Sequence, residues 1–174
     1  MPTYQKAPPQ VADIAREVIE EFEGHHPLKL AGVKIEYLFA FADVNDQGKR
    51  TSDALSKNGL RALGICRKVP TKERAMGRGD VEISIDGDWW NEVGEEKQKA
   101  LLDHELYHIQ LTGECDDLRR PKIKLRKHDF EVGWFAEVAA RHGMHSIERQ
   151  QAAEVMECHG QFFWPGIVGK SRVA

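Results

Sequence analysis

Val11, Ile14, Ala15, Val18, Ile19 and Phe22 recur at the three- and four-residue spacing of one helix face. The spacing predicts an amphipathic helix over 11–22, ended by Gly24 and Pro27. The period then changes to two. Val33, Ile35, Tyr37, Phe39 and Phe41 alternate with other residues and predict a strand over 33–42. A polar, glycine-bearing loop over 43–60 precedes a second strand over 62–69, which Pro70 stops. Val81, Ile83 and Ile85 alternate with Glu82, Ser84 and Asp86 in a third strand, with Trp89 and Trp90 covering a rim of the core just after it. From Glu95 to about Leu111 runs a series of good helix formers with acidic residues leading and Gly113 at its expected end. Lys122–Arg126 alternates like a hairpin arm, a helix is expected from near Asp129 to Arg141, and a last one over 146–158.

These elements make an α+β fold: an N-terminal helix, a small three-stranded, mainly antiparallel sheet, a long central helix and C-terminal helices. The first ten residues hold Pro2, Pro8 and Pro9 and are expected as a flexible arm. Residues 11–160 read as a single domain, and 161–174, with the apolar Phe162-Phe163-Trp164-Pro165, as a C-terminal tail. A chain of 174 residues is long enough for a real core without staples. The net charge of −3 gives no general affinity for nucleic acid or anionic membrane. No stretch approaches a membrane span and the N-terminus has no apolar signal core. The three widely spaced cysteines, Cys66, Cys115 and Cys158, make no disulfide framework, and a cytoplasmic location is expected.

The chemistry is in the central helix, which contains His104-Glu105-Leu106-Tyr107-His108. Residues four apart lie one turn apart on nearly the same helix face, so both imidazoles can point at one metal ion. Glu105 stands beside the first ligand, where it can take a proton from a water without being a ligand itself. Zinc suits this arrangement, because it takes nitrogen ligands and, when catalytic, keeps one position open. A third protein ligand is then needed. A further histidine six residues after His108 would complete one known pattern, but Leu111 and Glu114 stand where that pattern needs Gly and His. The candidates further on are Asp116, Asp117, His128, Asp129, Glu131 and Glu137. His128 is the best placed, after a hairpin-like return and before a helix that Asp129 would cap; Glu131 and Glu137 are the alternatives.

The run Ala100–Ile109, together with Lys127-His128-Asp129-Phe130-Glu131 and Arg141-His142-Gly143, resembles the phage metallopeptidases. These are zincin-like proteins similar in layout to SprT/Spartan-like proteases. The resemblance covers about residues 33–143. It implies Zn2+ on His104, His108 and His128, Glu105 as general base, a protein or peptide substrate, and action in the cytoplasm of a bacterial host. SprT-like proteins often follow the third ligand with Gly, where this chain has Asp129, so the DNA-crosslink substrates of Spartan relatives are not carried over. In zincin-like folds an edge strand near the metal accepts an extended substrate, and 81–85 is the candidate edge here.

Other features read more plainly. Arg119, Arg120, Lys122, Lys124, Arg126 and Lys127 would make a phosphate-contacting patch, but Asp116 and Asp117 lie just upstream and no aromatics interleave them. A solvated hairpin face is the better reading. Asp43–Gly48 has the residues of a calcium loop without its closing glutamate, and reads as a turn. Arg141, His142 and His145 are candidates for oxyanion stabilisation or for a helix C-terminus. Cys115, Cys158 and His159 are weak candidates for a second metal site. The competing functional class is a zinc-stabilised, non-catalytic binding module working through residues 119–127, with nucleic acid or protein as partner. A zinc hydrolase of non-peptide amides is a third reading.

Overall fold

The computed structural model describes residues 2–57, 59–128 and 135–159. Along the chain come β1 (Thr3–Lys6), α1 (Pro9–Glu21), a 3-10 turn (Glu23–His25), α2 (His26–Leu30), β2 (Ile35–Phe41) and a small hairpin of β3 (Ser56–Lys57) and β4 (Leu60–Arg61). Next are β5 (Gly64–Lys68), α3 (Thr71–Ala75), β6 (Val81–Asp86), α4 (Gly87–Glu92) and α5 (Glu95–Tyr107). A second hairpin, β7 (Ile109–Cys115) and β8 (Pro121–Leu125), leads to α6 (Ala136–His142), the 3-10 turn Gly143–His145 and α7 (Ile147–His159).

The fold is mixed α+β, but its central sheet has four strands, in the order β1-β2-β6-β5. It is also a mixed sheet: β1 and β5 are antiparallel to their neighbours, whereas β2 and β6 run parallel with Ile35 opposite Val81. The fourth strand comes from the stretch expected as a loose arm. Thr3–Lys6 pair with Phe41–Leu38. Their side chains are exposed, so no apolar alternation marks them; backbone hydrogen bonds to the open edge of β2 hold them. Pro9 then opens α1, where a missing N–H costs nothing.

The core forms where α1 and α5 cover one face of this sheet. Val11, Ala15 and Val18 of α1 meet Val81, Ile83 and Ile85 of β6 and Leu101, Leu102 and Leu106 of α5. The other face of β6 is also buried. Glu82 takes a fork of bonds from Arg67 at 2.5 and 2.8 Å, and Asp86 pairs with Arg50 and Arg61. Asp86 also accepts from the Trp89 N–H and so caps α4. Trp90 of that helix packs on Phe39.

α5 is shorter than the sequence predicts. It ends at Tyr107, and β7 begins at Ile109. Ile109 pairs with Leu125 and Leu111 with Ile123, which places Ile109 and Ile123 in the core. That long-range pairing overrides a local stretch of good helix formers. Gly113, expected at a helix end, lies instead at a bulge of the hairpin, with φ of 80°.

The hairpin is tied to the body by a buried ion cluster. Arg74 of α3 reaches Asp80 at 2.6 Å and Asp116 at 2.6 Å, and Arg120 lies 2.8 Å from Asp80. Both side chains of the Arg74–Asp80 pair are 1% exposed. Removing Asp80 leaves the buried Arg74 with Asp116 alone and takes the carboxylate from Arg120. Asp80→Ala is expected to cost about 3–5 kcal/mol, measured as a lower urea midpoint with an unchanged slope.

Candidate metal centre

α5 runs through the middle of the molecule, and Ala100–Leu106 are buried on every side. Its polar residues Asp103, His104 and Glu105 are 0%, 5% and 3% exposed. Buried polar groups need partners, and each of these three has its own.

The structure brings His104, His108 and His128 together, with one ring nitrogen from each within 4.8 Å of the others. The early end of α5 makes this possible. His108 caps the helix, and its carbonyl accepts from the Arg126 N–H at 2.7 Å. The hairpin thus returns the chain to the level it left, two residues before His128. Every further helical residue would have carried the departure point 1.5 Å away.

The ring orientations follow from hydrogen bonds at the far nitrogens. His108 Nδ1 donates to the Arg126 carbonyl at 2.7 Å. His104 Nδ1 donates to Glu148 Oε1 at 2.7 Å. In each ring this fixes the proton on Nδ1 and leaves Nε2 as a lone-pair donor. His104 Nε2 and His128 Nε2 are 3.2 Å apart. Tetrahedral ligands on zinc–nitrogen bonds of about 2.0–2.1 Å stand roughly 3.3 Å apart. The three-nitrogen donor set could hold a metal ion, and its His104–His128 separation is that of two ligands on one tetrahedral ion.

Electrostatics treat the two helix histidines differently. Burial holds the His108 imidazole neutral, its pKa lowered from 6.5 to about 3. Burial also opposes charge on His104, but the Glu148 hydrogen bond and nearby carboxylates raise its pKa. Glu148 is buried and still held below the usual carboxylate range by His104 and Ser146. The Ser146 hydroxyl donates to its other oxygen at 2.6 Å.

Glu105 faces away from this pair, toward β5. Burial pushes its carboxyl up, against the pull of His104, Lys57 and the Cys66 N–H. Its Oε2 is buried with no hydrogen-bond partner among the described residues. Gly64 makes the space for it: a Cβ there would lie 2.8 Å from Glu105 Cδ and 2.9 Å from Cγ.

A family model described as "Putative phage metallopeptidase" matches residues 3–157. The chain belongs to this phage metallopeptidase family. No curated protein and no solved structure matches it. Family membership implies a metal-dependent peptidase with a protein or peptide substrate, and three histidines able to hold a metal stand together in the structure. Among the described residues no helix is long and apolar enough to cross a membrane.

In this chain, several residues singled out from sequence have other partners. Arg141 and His142 do not face the triad; they bind Asp103, at 3.0 and 2.7 Å, and His25 joins them at 2.6 Å. The three hold the Asp103 carboxyl far below its usual range despite its burial. His145 is exposed. Glu137 is exposed and takes bonds from the Tyr107 hydroxyl and Arg141, while Asp116 pairs with Arg74. Asp129, Glu131 and the tail 161–174 lie outside the described residues, as do the side chains of Cys158 and His159. Strand 81–85 is no edge: β6 is paired on both sides, and β5 is the outer strand toward α5. In the basic run, Arg120 donates to the carbonyls of Arg74 and Arg78, Lys122 pairs with Glu114, and Arg126 lies over the Tyr107 ring. The 43–48 segment is an Asx turn: Asn45 Oδ1 accepts from the N–H groups of Gln47 and Lys49.

Sequence reasoning missed Glu148, Asp103, His25 and Gly64. Only the tertiary fold brings Glu148, 44 residues on, to His104. Glu148→Ala is expected to weaken metal binding about 10–100-fold, read by chelator competition. A pH effect follows from His108. Its depressed pKa means the unfolded chain binds a proton that the folded one refuses between 6.5 and about 3. Stability present above pH 6.5 is therefore lost as pH falls toward 3. Thermal midpoints of the metal-free protein should drop over that window, and less so in His108→Asn.

Proposed function

We propose that this chain is a zinc-dependent metallopeptidase of zincin-like layout, with His104, His108 and His128 as zinc ligands and Glu105 as general base. The observation that carries the proposal is the convergence of three imidazole nitrogens at the end of the buried helix turn that also holds Glu105, whose Oε2 has no hydrogen-bond partner among the described residues. Three imidazole nitrogens, with His104 giving up the proton its carboxylate neighbours favour, form a donor set that zinc favours, with one position left for reaction. A bound zinc ion supplies Lewis acidity, polarising a substrate carbonyl and acidifying water.

The rest is done by residues of the chain. Glu148 and the Arg126 carbonyl keep His104 and His108 turned inward. Gly64 and the Cys66 N–H hold the Glu105 carboxyl in place. Burial raises the proton affinity of Glu105 toward what a base working near neutral pH needs. Glu105 takes a proton from the attacking water and passes it to the departing amine, so that the scissile C–N bond breaks with no free amide anion. The catalytic domain runs from β1 to α7. Free thiols at Cys66 and Cys115 accord with a reducing compartment, and we place its action in the host cytoplasm. The competing binding-module reading loses ground, because Arg120, Lys122 and Arg126 are engaged within the protein.

Metal content and peptide hydrolysis of three proteins test the proposal together. The wild type should carry about one zinc per chain. Glu105→Gln should keep its zinc and lose about 10²–10⁴ in turnover. His128→Ala should lose zinc or bind it far more weakly. Wild-type cleavage by Glu105→Gln removes Glu105 as the base. Zinc retained in His128→Ala moves the third ligand to Glu131 or Glu137. A wild type that takes up no zinc when it is supplied restores the binding-module reading.

A further inference from the structure

The aromatic ring of Phe135 stands in an unusual relation to the three histidines. Its centroid lies 4.9 Å from His104, 4.9 Å from His108 and 5.0 Å from His128. The imidazoles themselves are 5.2, 5.1 and 4.5 Å apart. A ring nearly equidistant from three others sits over the middle of their triangle. Phe135 is 0% exposed, so no solvent reaches the triad through it.

Two further contacts fix it there. Tyr107 lies 5.0 Å away and the Arg126 guanidinium 5.4 Å, which closes the rim. Phe135 is the N-cap residue of α6, whose last turn is clamped to α5 by the Arg141 and His142 bonds to Asp103. The ring thus meets the stripe His104, Tyr107, His108 of α5. Glu105 lies about 100° round the same helix from His104 and faces Gly64 and Cys66 of β5.

We infer that Phe135 is the apolar floor of the metal centre, a positioning residue that holds the three imidazole planes and closes one side of the triad. Ligand exchange at the ion is then confined to the side of Glu105. Three nitrogens in a triangle can accept further ligands from either face. A hydrolytic zinc site needs one open position and a dry back. A flat apolar ring against all three imidazoles supplies both constraints, with favourable edge-to-face contact to His108 and His128. The inference rests on the zinc reading above and concerns the geometry of the centre rather than its existence.

Cobalt(II) substitution of the full chain tests it, because cobalt absorption reports coordination number. Phe135→Ala should load cobalt but show weakened visible bands, as water enters from the back. Its zinc should pass to a chelator about 10–100-fold faster than in the wild type. Phe135→Leu, which restores apolar bulk, should recover most of both signals. Val138→Ala is the control: Val138 is equally buried on α6, and its loss should lower the thermal midpoint and leave both metal signals unchanged. Wild-type cobalt bands and zinc release in Phe135→Ala overturn the inference, as does an equal change in Val138→Ala. If Phe135→Ala does not fold, Phe135→Val must show the same shifts in smaller degree, and wild-type behaviour there overturns it. A wild type that takes up neither metal overturns the zinc reading itself, so the two failures are distinguishable.

Discussion

Three consecutive polar side chains on a helix buried on every side are the constraint from which the rest of this structure follows. Asp103, His104 and Glu105 sit in the turn of α5 that the core surrounds, and an unpartnered polar group there costs too much to leave. Asp103 is satisfied by His25 from the N-terminal side and by Arg141 and His142 from α6. His104 is satisfied by Glu148 of α7. Glu105 is held against β5. Elements from both ends of the chain are thereby drawn onto one turn of helix, and their convergence builds the site.

Not every group in that turn is fully satisfied. Glu105 Oε2 has no protein partner among the described residues, and two imidazoles are locked by their Nδ1 protons with Nε2 directed into the triad. Full satisfaction would have made an inert polar core. Under the proposed zinc reading, these are the groups that would hold the cation and serve as its base. The same surroundings shift the acids and bases in useful directions: His108 stays neutral, the Glu105 carboxyl becomes more basic, and Glu148 stays charged.

The two hairpins place the remaining parts. β7–β8 returns the chain to His108 and so delivers His128. It is fixed through Arg120 and Asp116 to the Arg74–Asp80 pair, which takes Arg120 out of the basic run. The β3–β4 hairpin brings Lys57 into electrostatic range of Glu105, a placement that neither period nor motif in the loop 43–60 betrays.

The sequence by itself determined the elements whose side chains alternate or recur in register with their own backbone: α1, β2, β6 and the central helix with its paired histidines. It also pointed to the family, because the four-residue spacing of His104 and His108 on a helix is a local fact. What it could not determine was everything decided by partners far along the chain. Thr3–Lys6 became a strand because β2 had an open edge, although their own side chains are exposed. β6 became an inner strand, with its polar face buried under arginines. α5 stopped at Tyr107 because pairing of Ile109 with Leu125 outweighed helix propensity worth a few tenths of a kcal/mol per residue. Glu148 found His104, and Arg141 found Asp103 rather than the metal triad, because buried charge is settled by whatever group the tertiary fold brings within reach. Spacing fixed which residues could share a helix face; only the folded chain fixed what each of them faces.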